Sequence, residues 1–140
     1  MLVGLDVSAG ATLGILGYGR IGQAVARRAQ AFDMTVIASS RSRTPGSVED
    51  GVTFVDTSTL LADSDVVTVH TPLTSETRHL IDAAAVRLMK PTAYLINTAR
   101  GGVVDEEALI AALHRGEIRG AALDVFAAVL AEQPPLTPVR

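Results

Sequence analysis

The sequence predicts one α/β domain: a doubly wound parallel sheet in three layers, with helices over both faces. Three observations predict it. Short apolar runs alternate along the chain with segments of helical periodicity, which is the pattern of βαβ units with right-handed crossovers. The strand candidates are apolar on both faces, as in Thr12-Leu13-Gly14-Ile15-Leu16, and such strands belong in a sheet covered on both sides. The length of 140 residues is one domain's worth at roughly 100–200 residues per domain, enough to bury a real core.

The elements follow in order. After the strand Thr12–Leu16, the stretch Gly17 to Gly22 breaks the pattern. A helix then places Ile21, Ala24, Val25, Ala29 and Phe32 on one stripe. Met34 to Ser39 is the next strand, Ser40 to Gly51 a polar loop, Val52 to Val55 a short strand and Thr57 to Ala62 a short helix. Asp65 to His70 is a strand closed by Pro72. Asp82 caps a helix that runs through Met89 and stops before Pro91. Ala93 to Asn97 is a strand. Asp105 caps the clearest helix, with Glu106 and Glu107 in its first turn, His114 and Arg115 in its last, and Gly116 as the residue beyond its end. Ala121 to Val125 is the final strand. Residues 1–126 are thus read as the folded domain and 127–140 as a tail with three prolines and no clear element.

Composition excludes several classes. Apolar residues make up 48% and charged residues 19%, which is globular composition. The net charge of −3 gives no general pull toward nucleic acid or an anionic membrane. No apolar run is long enough to span a bilayer, and Met1 to Asp6 does not read as a secretory signal. There are no cysteines, so disulfides, thiolate metal sites and cysteine nucleophiles are excluded, and a cytoplasmic setting fits. His70 ends a strand at the edge of the sheet where a cleft is expected and reads as a strand-end residue satisfied in place, with a catalytic role the disfavoured alternative. His79 and His114 read as helix-surface groups, and neither has metal-ligand spacing.

Gly17-Tyr18-Gly19-Arg20-Ile21-Gly22 fits G-x-G-x-x-G between a predicted strand and a predicted helix. In that context Gly17 permits the tight turn, Gly19 lets a pyrophosphate approach bare backbone, and Gly22 lets helix and strand pack closely. The amides near Arg20 and Ile21 would then face the phosphates, aided by the helix dipole. A glycine-rich turn without a ligand is the alternative, disfavoured by strand, turn and helix occurring together. The end of the second strand bears on which dinucleotide binds. An NAD site uses a carboxylate there, but Ser39-Ser40-Arg41-Ser42-Arg43 supplies hydroxyls and guanidinium groups and no acid. That set suits a 2′-phosphate, so NADP is favoured over NAD, with Ser40 and Arg41 as its ligands.

Four stretches in this order carry a resemblance: the glycine turn, His70-Thr71-Pro72-Leu73-Thr74, Asn97-Thr98-Ala99-Arg100-Gly101-Gly102-Val103-Val104-Asp105, and Gly120-Ala121-Ala122-Leu123-Asp124-Val125-Phe126. Together they resemble the dinucleotide-binding (Rossmann) domain of the D-isomer-specific 2-hydroxyacid dehydrogenases. Ser40 to Arg43 is similar to the NADP-using glyoxylate/hydroxypyruvate reductase branch. The resemblance implies that Arg20 and Ile21 sit at the pyrophosphate, and that Thr71, Pro72 and Thr77 line the adenosine side. It places Thr98 and Ala99 at the nicotinamide ribose and Asp124 at the carboxamide. It implies that Arg100 is catalytic, binding the substrate carboxylate and polarising the carbonyl. The chemistry agrees, because reduction of a 2-oxo acid builds negative charge on that oxygen. Without the resemblance, Arg100 reads as a strand-end Arg paired with an acid, and Asp124 as a strand-end carboxylate capping a turn.

The pattern also breaks. The family carries a Glu five residues past the Asp of its L-D-V strand, and here that position is Val129, with Glu132 the first acid. The family's acid/base His and its substrate-binding domain have no counterpart in these residues. The expectation is therefore the NAD(P)-binding domain of an oxidoreductase acting on small 2-oxo or D-2-hydroxy acids, inactive by itself. A truncated or split gene product, a fragment or an excised domain would each have this form. Two alternatives stay open: a dinucleotide-binding module that catalyses nothing alone, and a subunit completed by a partner. The family's dimer contacts use flanking elements, so the sequence leaves a homodimer open. An apolar surface where the rest of the enzyme docks is expected.

Overall fold

The structure is a computed structural model and describes residues 9–124. In chain order its elements are β1 (Thr12–Leu16), α1 (Arg20–Ala31), β2 (Thr35–Ser39), β3 (Val48–Glu49), β4 (Val52–Phe54), α2 (Thr57–Asp63), β5 (Val66–Val69), α3 (Ala83–Leu88), β6 (Tyr94–Asn97), α4 (Glu106–His114) and β7 (Gly120–Leu123). A single 3-10 turn, Gly101–Val103, leads into α4. The strands form one sheet in the order β3-β4-β2-β1-β5-β6-β7. All pairs are parallel except β3 with β4. The order reverses at β1, which pairs β2 on one side and β5 on the other. That reversal opens a crevice at the carboxyl ends of the strands, where ligands bind in sheets of this kind.

Each face of the sheet has its own core. Leu13, Ile15, Val36, Val52 and Phe54 pack under α1 through Ala26 and Ala29. Val67, Val69 and Leu95 pack on the other face against α2, α3 and α4 through Leu60, Leu61, Val86 and Leu109. Phe54 is fully buried, and truncating it to Ala should cost about 3–5 kcal/mol. Among the described residues one helix thus covers one face and three cover the other. Tyr94 and Ile96 of β6 lie toward the α1 face and are only partly buried.

The opposite edge of the sheet is fastened by Asp65. Its carboxylate accepts the Thr12 N–H at 2.8 Å and pairs with the Lys90 ammonium at 3.1 Å. Its backbone bonds Thr12 and Tyr94, so one residue ties the starts of β1, β5 and β6. The Thr12 N–H bond is the main reason its carboxyl titrates below the ordinary range, with Lys90 adding to it.

Two expectations need correction. The polar stretch Ser40 to Gly51 is not all loop: Val48–Glu49 pairs antiparallel with β4 through a hairpin at Asp50-Gly51. Both turn residues have positive φ, 51° and 79°, which is the two-residue turn that Asp-Gly favours. The stripe on α1 holds only in part: Ala29 is buried and Val25 packs on the core. Ile21 and Phe32 face solvent, each 67% exposed, while Gly22, Ala26 and Ala29 are buried. A helix seated this close to a sheet makes contact through its smallest residues; a Cβ on Gly22 would lie 2.5 Å from the Gly17 carbonyl oxygen. The end of the last strand at Val125, Phe126, the positions Val129 and Glu132, the tail 127–140 and the segment Met1 to Asp6 lie outside the described residues.

Candidate functional site

The carboxyl ends of β1, β2 and β5 surround a cleft of about 720 Å³. A ligand of dinucleotide size calls for a cavity of this order. Its floor is the turn after β1, its outer wall the segment after β2, and its inner wall the loop after β5.

The turn is built as the sequence predicts. Gly17 has φ +91°, and a Cβ there would stand 2.8 Å from the His70 carbonyl and 2.7 Å from Thr71 Oγ1. Only glycine fits on both counts. Gly19 is different. Its φ of −85° suits any residue, and a Cβ would meet nothing within 4 Å. The fold therefore does not require glycine there, whereas a group lying against the backbone from the cleft side would. Gly19 is the N-cap of α1 and gives no side-chain cap, and its own C=O accepts the Gln23 N–H at 2.9 Å. The first amides of α1 are left to whatever enters the cleft.

Tyr18 does not fill this space. It is buried edge-on against Phe54 at 5.1 Å between centroids. Burial, then Glu49 and Asp50, push its phenol above the ordinary value, so it is neutral at pH 7. The Arg43 guanidinium lies over both rings and is forked onto Glu49 at 3.1 and 3.3 Å. That bond holds the Glu49 carboxyl below its usual range.

On the outer wall, Ser40 and Arg41 line the cleft. The Ser40 and Ser42 hydroxyls are 3.1 Å apart, and Arg43 donates to Ser42 at 2.8 Å. On the inner wall stand Thr71, Pro72 and Thr77. The Thr77 hydroxyl is already committed, donating to the Pro72 carbonyl at 2.6 Å and accepting the Thr74 N–H at 2.7 Å. It shapes the loop and does not offer its hydroxyl to a ligand. His70 also lines the cleft, with Nε2 2.9 Å from Thr68 Oγ1. Burial lowers its pKa, so it adds no positive charge at pH 7.

Arg20 lines the floor, whereas Ile21 and Gly22 are not part of the cleft lining. Thr98, Ala99, Arg100 and Asp124 lie at the same edge of the sheet, beyond β6 and β7, outside the cleft lining. Buried Asn97 organises that region: its amide donates to the Arg100 carbonyl at 3.0 Å and accepts the Ala99 N–H at 3.1 Å. Asp124 is joined to it by its backbone N–H, 3.0 Å from the Asn97 carbonyl. Arg100 is exposed, donates to the Ala99 carbonyl at 3.0 Å and forms no ion pair among the described residues.

Sequence reading missed Asn97 and Glu76. Asn97 ends an apolar strand and is buried, and a polar residue in such a place needs partners, which was the available signal. Glu76 had no signal, because its importance comes from its neighbour across the cleft. Among the described residues no three His, Asp or Glu side chains are placed to hold a metal, and no helix is long and apolar enough to cross a membrane.

Comparison with known proteins matches residues 4–139 to the family model of the D-isomer specific 2-hydroxyacid dehydrogenase NAD binding domain. The chain is 56% identical over 118 residues to a glyoxylate reductase of Thermococcus litoralis, covering 84% of this chain and 36% of that protein. An acyclic imino acid reductase solved with NADPH and D-Arg superposes with a TM-score of 0.84 at 37% identity, over 91% of this chain and 40% of that one. A D-isomer specific 2-hydroxyacid dehydrogenase of Lactobacillus delbrueckii ssp. bulgaricus in its NAD complex gives 0.80 at 42% identity, over 91% and 39%. The chain spans little more than a third of the length of these relatives.

Proposed function

Because this chain belongs to the D-isomer specific 2-hydroxyacid dehydrogenase family, as its NAD-binding domain, we propose that the cleft takes the coenzyme of a reductase that interconverts a small 2-oxo acid and a D-2-hydroxy acid. We propose NADP as the preferred coenzyme. The single observation that carries the reading is Gly19: an exposed backbone that no neighbour obliges to be glycine, at the uncapped start of a helix that opens into the cleft. A diphosphate lying there would accept the free amides of Arg20 and Ile21, with the Arg20 side chain beside it.

The remaining roles follow from the family resemblance together with the cleft lining. Thr71 and Pro72 would flank the adenosine, in a loop braced by Thr77. Ser40 and Arg41 would receive a 2′-phosphate. Thr98 and Ala99 would lie along the nicotinamide ribose and Asp124 at its carboxamide, as the family resemblance implies. Arg100 would hold the substrate carboxylate and stabilise negative charge on the carbonyl oxygen. Asn97 would set the angle of that loop. When bound, the reduced nicotinamide supplies the two electrons and the hydrogen of the reduction. His70 lines the coenzyme cleft with Nε2 on Thr68 Oγ1, and the proton for the product hydroxyl is assigned, as the family resemblance implies, to a histidine with no counterpart in these residues.

Two measurements test the reading. Calorimetric titration of the 140-residue chain should show binding of NADPH and NADH, NADPH the tighter; tighter NADH would overturn the NADP preference. Mixing the chain with NADPH and glyoxylate or hydroxypyruvate should leave the absorbance of the reduced coenzyme unchanged. Turnover would mean that this domain alone supplies the proton and excludes water.

A further inference from the structure

The end of β2 carries no acid, yet the folded cleft has one beside it. Glu76, from the loop after β5, places Oε2 2.7 Å from Arg41 Nη1, with the two side chains 64% and 77% exposed. The pair spans the cleft from one wall to the other, and both residues line it. The second guanidinium of the region, Arg43, is held by Glu49 and by two aromatic rings. Arg41 is thus the cation at this wall that a ligand can recruit, and Glu76 already holds it.

We propose that Glu76 is a specificity-determining residue that discriminates against a phosphorylated adenine ribose. The proposal rests on the reading of the cleft as a coenzyme site. Glu76 engages Nη1 alone, so a 2′-phosphate must compete with it for Arg41, and whether it takes Nη1 or the remaining N–H donors it lies close to a carboxylate of like charge. A 2′-hydroxyl makes no such demand, because it carries no charge to repel and can itself donate to a carboxylate. Glu76 therefore narrows the preference that Arg41 and Ser40 create, and it makes the site tolerant of both coenzymes. Exposed ion pairs are weak, so the effect is a modest factor.

The test is a set of calorimetric titrations of the chain with NADPH and with NADH. Glu76→Gln keeps the size of the side chain and removes its charge at an exposed position, and thermal unfolding checks that it folds. It should tighten NADPH roughly two- to fivefold and change NADH by less than about twofold. In an Arg41→Gln background most of that gain should vanish, since no pair remains to be broken. Unchanged or weaker NADPH binding, an equal gain for NADH, or a gain undiminished without Arg41 would each overturn the role of Glu76. If the parent chain binds neither coenzyme, or if blocking Gly19 leaves binding intact, the coenzyme site itself fails and the proposal with it.

Discussion

The four α-helices among the described residues begin in two ways. α2, α3 and α4 each start behind an aspartate whose carboxylate accepts an amide of the first turn: Asp56 from Thr59, Asp82 from Ala85 and Asp105 from Ala108. α1 starts behind Gly19, with no side-chain cap. Each of these three satisfies one of its orphan amides from within the chain and takes the stability that such a bond gives. The fourth leaves amides and dipole facing a cleft. Helix starts that serve the fold are closed by the chain, whereas the one that faces the cleft is kept open at some cost in stability.

The sharpest way to break this contrast is to close α1 like the others. Gly19→Asp has room for its side chain and an ordinary φ, so thermal stability should hold or rise by a few tenths of a kcal/mol. Coenzyme affinity should fall on the order of tenfold or more, because a carboxylate would occupy the place of the diphosphate. Unimpaired binding would show that the open start is not where the diphosphate lies. Next in size is the reverse experiment. Asp105→Ala should cost about 1 kcal/mol of stability and leave coenzyme affinity unchanged, as read by denaturant unfolding and titration. A loss of affinity equal to that at Gly19 would dissolve the distinction between the two kinds of start.

The smallest effect is a pH dependence. Amide and hydroxyl donors from Thr59 and Ser58 hold the Asp56 carboxyl below the ordinary aspartate value of 3.8. Its contribution to stability is therefore full above about pH 4 and is lost as pH falls through the lowered native value. Asp56→Asn keeps a competent cap but cannot titrate. It should leave stability at pH 7 little changed and make the acid limb of the stability profile shallower than in the parent. An identical acid limb would mean that the cap bond does not perturb this group.

Much of this was legible in the residues because it is local. Asp82 and Asp105 announce their helices one residue ahead, Gly116 ends α4 with φ +69°, and the glycine turn sits between strand and helix as its spacing implies. The hairpin at Asp50-Gly51 was legible too, through a dipeptide favoured in two-residue turns, but the polar flanks hid it. The exposure of Ile21 and Phe32 was not, because periodicity shows which residues share a stripe and not how close the sheet approaches it.

By itself, the sequence determined the alternation of elements, the uncapped glycine turn and the Ser-Arg segment after the second strand, since each depends on neighbours a few residues apart. Only the tertiary structure decided that an acid faces that segment after all. Arg41 and Glu76 are far apart along the chain and meet because β2 and β5 flank β1 in a parallel sheet. Strand order brings their loops to one edge, and charge at 2.7 Å acts through space without regard to separation in sequence.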